Sequence, residues 1–273
     1  MRSFDAASAT REVFITLLAN FRVALRLSWP WLAVFVASQA MLRIEYPELF
    51  PKLTYAIGDP PHMSTNLFLL STVTNLLELL GFASISMNWN RFVLRGENPI
   101  GIVPVMFNAQ ILRYFAMLLM WLCLAMVAVI LFLTACGILI SVFAEYLSAT
   151  ATWYLACLIS AAFAAWLITA LMRLLIRFPA ISIGRSDFGV MKAWRNSKGY
   201  AFRLFAFFLY VLVFTGLCSV LLLEICVIIS GLTRGGGLLF WVAWPVVFLW
   251  TISIVGASTM TVLYRSFAQE RDD

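Results

Sequence analysis

Charge is what this chain has least of. Only 12% of its 273 residues are Asp, Glu, Lys or Arg, against roughly 25% in a water-soluble domain. Histidine occurs once, at His62. The five cysteines, Cys123, Cys136, Cys157, Cys218 and Cys226, all lie in apolar runs and form no C-x-x-C pair. A disulfide framework and a zinc site are therefore not supported. There is no Walker or dinucleotide-binding glycine pattern, and no grouping of Ser, His and Asp suggests nucleophilic catalysis. Neither a catalytic site, a metal nor a cofactor is expected.

What the chain has in abundance is hydrocarbon: 63% of residues are hydrophobic, with a mean hydropathy of +0.95. A water-soluble fold of this size could not cover so much apolar surface. A bilayer removes that requirement. Backbone groups in hydrocarbon must bond within their own segment or a closed barrel, and two-residue alternation in pieces of about ten residues is missing. The fold class that follows is all-α, a polytopic membrane protein of about six transmembrane helices.

The apolar runs place spans at about 27–43, 66–88, 114–141, 152–172, 204–229 and 239–263, each near the ~20 residues a bilayer core requires. The first span holds Pro30 near its start and reads as uncleaved, because the charged leader is too long for a signal peptide. Residues 8–24 alternate charged and apolar side chains, a pattern expected of an amphipathic helix lying in the interface. A Gly235-Gly236-Gly237 turn leads into the last span.

Orientation follows from the basic residues. All but three of the 19 lysines and arginines fall in the N-terminal segment, the loops after the second and fourth spans, and the C-terminal tail. The exceptions are Arg43, Lys52 and Arg234. The positive-inside rule then puts both termini in the cytoplasm, and the location expected is the cell inner membrane. The net charge of +6 sits at span ends, which points to lipid headgroups and not to nucleic acid.

A weak echo links two halves. Arg113-Tyr-Phe-Ala-Met-Leu-Leu119 opens the third span and Arg203-Leu-Phe-Ala-Phe-Phe-Leu209 the fifth, and each is preceded by an Arg-Phe pair, Arg91-Phe92 and Arg177-Phe178. Residues 66–141 and 152–229 could thus be two hairpins of one kind within a single transmembrane domain. Chance resemblance between apolar segments gives the same echo.

Glu78 stands near the middle of the second span, where a carboxylate is costly unless paired, hydrated or neutral. Ser71, Thr74, Asn75 and Gly81 fall within about 60° of it on a helix, with Leu69, Leu76, Leu80, Ala83 and Met87 opposite. The expectation is a polar stripe toward the bundle and an apolar one toward lipid. Glu78 either lines a solute path or ties neighbouring helices by hydrogen bonds. Glu224 and Arg234 could pair near the outer interface.

Two basic loops remain. Trp89, suited to headgroup level, precedes Arg91, Arg95 and Glu97, a compact charged patch able to hold phosphate. Residues 187–199 read as a second interfacial helix, capped by Asp187 and ended by Gly199. Phe188, Met191 and Trp194 make its apolar edge, and Lys192, Arg195 and Lys198 its basic edge. Anionic headgroups on the cytoplasmic side, or a membrane-protein partner, would suit such a helix. Glu45, Glu48, Asp59 and His62 in the first outer loop are the only grouping of acids and histidine, and read as a solvated loop.

Trp89-Asn-Arg-Phe-Val-Leu-Arg-Gly-Glu97, Arg177-Phe-Pro-Ala180, Ala193-Trp-Arg-Asn-Ser-Lys-Gly199 and Arg203 resemble segments of a group of uncharacterised six-span inner-membrane proteins of proteobacteria. They are distantly similar to the membrane domain attached to some glycerophosphodiester phosphodiesterases. Asn90 stands where that group is expected to carry histidine. The resemblance implies a six-span inner-membrane fold; the phosphodiesterase barrel has no counterpart here, so its activity does not carry over. The function expected is that of a lipid- or partner-interacting envelope protein, the alternative being a small transporter or channel built on the stripe around Glu78.

Overall fold

The computed structural model describes residues 4–45, 65–98, 102, 106, 108–143, 148–232 and 236–269. Every regular element among them is helical: α1 (Ala6–Ala19), α2 (Phe21–Glu45), α3 (Thr65–Arg95), α4 (Ala109–Phe143), α5 (Ala149–Leu175), α6 (Arg177–Ser182), α7 (Val190–Asn196), α8 (Ala201–Leu232) and α9 (Gly236–Tyr264), which runs on into a π-helical turn, Arg265–Gln269.

Local chemistry sets these boundaries. Asp5 caps α1 by accepting from the Ser8 amide at 2.8 Å, the usual role of a short acidic side chain at that position. Asn20, whose amide group turns back to the Thr16 carbonyl, separates α1 from α2. Ser148 caps α5 through the Ala151 amide. Positive φ at Gly96, Gly184 and Gly199 turns the chain after α3, α6 and α7, a conformation that favours glycine.

Five helices are long and apolar enough to cross a membrane: Thr65–Arg95, Ala109–Val142, Thr150–Ser182, Ala201–Ile228 and Val242–Ala268. The polytopic, all-α class therefore holds. The first expected span lies within α2, which has the length but is diluted by Ser28, Pro30, Gln39 and Arg43, and it is not among the five.

The helix at the centre is α9, which packs against α1, α2, α3, α6 and α8. One apolar core joins Val13, Leu27, Trp31, Phe35, Ile85, Trp89, Phe207, Ile254 and Leu263. A second, smaller one joins Ala83, Met87, Ile111, Tyr114, Leu118, Phe178 and Met260. Helices α2 and α3 approach closely because residue 81 is glycine: a Cβ there would lie 2.7 Å from the Phe35 ring and 2.9 Å from Trp31.

Both segments expected to form interfacial helices are helical, with altered bounds. The N-terminal one ends at Asn20, not near 24, and it buries Ala6, Ala9, Thr10, Val13 and Leu17 against α8 and α9. Phe4 anchors it, its ring 5.1 Å from Phe267 and 5.8 Å from Phe207. The second is only Val190–Asn196, opened by Gly189 and not by Asp187.

Candidate functional site

The chemistry-bearing side chains gather at one end of the bundle, the end of α3 that carries Arg91 and Arg95. Arg91 Nε donates to Glu97 Oε2 at 2.6 Å, and its Nη1 reaches Gln110 Oε1 at 3.3 Å. Arg95 is 3.4 Å from Glu97 Oε1 and also donates to the Ile183 carbonyl beyond α6. Arg265 donates to the Val93 carbonyl at 2.9 Å and lies 3.4 Å from Glu12 of α1. Arg185 reaches the Tyr264 hydroxyl at 3.3 Å, Arg203 the Phe4 carbonyl at 3.1 Å, Asn196 the Phe267 carbonyl at 2.9 Å, and Arg26 the Asn98 side chain. These contacts bind α1, α2, α3, α4, α6, α7, α8 and α9 into one collar. Guanidinium groups suit the task, since several donors on a rigid fork can serve a carboxylate and a helix-end carbonyl together.

The expected phosphate patch of Arg91 and Arg95 is thus assembled, but Glu97, Gln110 and the Ile183 carbonyl already accept from some of its donors. On α7 the division is different. Ala193 and Ser197 face the protein and are fully buried, while Arg195 and Lys198 are exposed and Lys192 is 3.7 Å from Asp187. Arg185 beside Asp187, hydrogen-bonded to it at 2.9 Å, holds that carboxyl below the usual carboxylate range. The apolar edge is split: Phe188 is buried against Tyr264, whereas Met191 is 77% and Trp194 38% exposed. The outward edge here is Met191, Trp194 and Arg195 of α7, with Lys198 just past its end.

Beneath the collar lies a polar layer that the sequence did not single out. Asn90, wholly buried on α3, has its Oδ1 2.7 Å from Thr261 Oγ1 of α9, and its Nδ2 donates to Ser182 Oγ of α6 at 3.3 Å. Tyr114 of α4 donates to Met260 Sδ at 3.2 Å and faces Ser86 and Asn90. One amide therefore links α3, α6 and α9. Low dielectric makes such a satisfied network a strong register constraint and a half-satisfied one costly. The available signal was a helix end rich in small polar residues, Ser84 to Asn90, facing another, Ser258 to Thr261.

At mid-span the stripe around Glu78 is divided. Gln39 of α2 donates to Glu78 Oε1 at 2.8 Å, Thr74 is buried, Ser71 is half-buried with its hydroxyl turned to the Phe68 carbonyl, and Asn75 is exposed. Ala83 and Met87, expected toward lipid, are completely buried, because α4 and α6 cover that side of α3. Trp89 likewise is fully buried in the core. Arg234, Glu48, Asp59 and His62 lie outside the described residues.

The five long apolar helices and their cross-tied end define a multi-pass membrane protein. No family model, curated protein or solved structure matches this chain.

Proposed function

We propose that the chain is a six-span protein of the bacterial inner membrane, with both termini cytoplasmic, that works without catalysis by engaging anionic headgroups or a membrane-protein partner at its basic end. The observation that carries this reading is the outward edge of α7. Lys198 and Arg195 stand exposed beside Met191 and Trp194, while Arg91 and Arg95 at the end of α3 are held by Glu97, Gln110 and the Ile183 carbonyl. A cation and an aromatic side by side at a span end fit phosphates and acyl chains together. The sequence resemblance to six-span inner-membrane proteins supports the same placement.

The test is lipid composition after extraction into polymer-bounded discs. Wild-type discs should hold more anionic lipid than the parent membrane, and Lys192→Gln, Arg195→Gln and Lys198→Gln together should abolish the enrichment. An unchanged lipid and partner profile in that variant would sink the proposal. The orientation is checked separately with C-terminal reporter fusions, which should report a cytoplasmic tail.

Transport along α3 is the second reading. Against it, Glu78 already accepts from Gln39, and Asn75 points away from the buried Thr74. Solute flux lost in Glu78→Gln vesicles would revive it.

A further inference from the structure

A crevice of about 360 Å³ opens on the flank of the bundle between α5 and α8. Its floor is small, Ala165, Thr169 and Ala170, and its walls are aromatic, Trp166, Phe202 and Phe205. Residues 165 to 173 rise along about 12 Å of α5. At the end nearest the collar stand Arg173 and Trp194, the Arg173 guanidinium carbon lying 4.6 Å from the centre of the Trp194 ring. Arg173 Nε is buried without a hydrogen-bond partner. Thr169 is satisfied by the Ala165 carbonyl, so the polar demand of the crevice comes from Arg173.

We propose that this crevice is a binding site for one anionic phospholipid. An acyl chain lies along Ala165, Thr169 and Ala170, and the phosphate accepts from the Arg173 guanidinium. Two features fit this occupant. The apolar part is an open crevice between two helices that are each apolar enough to cross a membrane, and the cation stands at the end nearest the collar of arginines. Stacking on Trp194 fixes the plane of the guanidinium and leaves its edge for two parallel bonds to phosphate oxygens. The proposal deepens the lipid-binding reading above, since it rests on the same membrane placement and shares Trp194 with the exposed edge of α7, but its cation is Arg173 and not Lys192, Arg195 or Lys198.

Native mass spectrometry of the full chain in detergent, titrated with phosphatidylglycerol or phosphatidylcholine, tests it. Wild-type protein should retain one phosphatidylglycerol in preference to phosphatidylcholine. Arg173→Gln should weaken phosphatidylglycerol binding by about tenfold or more and remove the preference, the value of a charge-assisted bond to phosphate. Ala170→Trp, which fills the floor and leaves the cation in place, should weaken both lipids equally. A phospholipid with a photoreactive acyl chain should label 165–170 in wild type, which keeps the test valid if one variant misfolds. Lys192→Gln, Arg195→Gln and Lys198→Gln together should lose enrichment of surrounding anionic lipid but keep this single lipid. Unchanged binding and preference in both Arg173→Gln and Ala170→Trp would overturn the proposal, as would loss of the retained lipid in the α7 triple variant alone.

Discussion

Helices α8 and α9 are both apolar enough to cross a bilayer, yet in the most apolar 18 residues of each, 67% are buried inside the protein in α9 and only 6% in α8. Helices α4 and α5 resemble α8, also at 6%. In lipid, apolar side chains gain little by moving from acyl chains to protein, so close fit and hydrogen bonds decide which helix goes inside. Helix α9 carries Thr251, Ser253, Gly256, Ala257, Ser258, Thr259 and Thr261, small groups that let α1, α2, α3 and α8 approach. Helix α8 carries Leu212, Phe214, Leu217 and Leu221 outward.

The comparison can be broken or sharpened by substitution. The largest effect belongs to α9: Leu263→Ala, at a fully buried position, should cost about 2–5 kcal/mol, read as a lowered midpoint in detergent unfolding. Gly81→Val comes next, since the Phe35 ring occupies the space a side chain would need; overpacking of this kind costs about 1–3 kcal/mol. Its signature should be a lowered unfolding midpoint that Phe35→Ala, which removes the clashing ring, restores in part.

Smaller still is the Asn90–Thr261 bond. A double-mutant cycle with Asn90→Ala and Thr261→Val should give a coupling of about 0.6 kcal/mol, and at most about 1.7 kcal/mol. A coupling indistinguishable from zero would mean the polar layer does not tie α3 to α9. Leu131→Ala on the lipid face of α4, 65% exposed, should change stability by less than about 0.5 kcal/mol. A loss equal to that of Leu263→Ala would show that α4 is covered by protein in the membrane, ending the contrast.

The last prediction concerns pH. Arg185 lowers the folded-state affinity of Asp187 for a proton. The stabilisation is present above the unfolded carboxylate value of ~3.9 and is lost as pH falls through the lower folded value. Hydrogen-exchange protection across 184–196 should therefore fall only in acid below about pH 4. Asp187→Asn should lack that acid-dependent step; an identical acid profile in the two proteins would remove the pair from the account.

Much of the candidate site was legible because charge is scarce. Arg91, Arg95 and Glu97 do meet, and Lys192 and Arg195 fall on one short helix with Lys198 two residues past its end. What periodicity could not tell was which cations were already occupied: the Ile183 carbonyl that holds Arg95 comes from 88 positions away. Ala83 and Met87 were misplaced for the same reason. Their helical face was read correctly, but α3 is covered on both sides near its end, and a single helix does not disclose its neighbours. Asn90 stands out in the sequence only as a departure from a resemblance, yet it is the amide that links three helices.

Taken alone, the sequence determined the solvent and the secondary structure, because long uncharged runs can satisfy their backbone only as helices in hydrocarbon. Only the tertiary structure decided which helix is central, which arginines are tied and which edge is left outward. Those outcomes depend on contacts between distant segments of similar hydropathy, and hydropathy carries no information about partners.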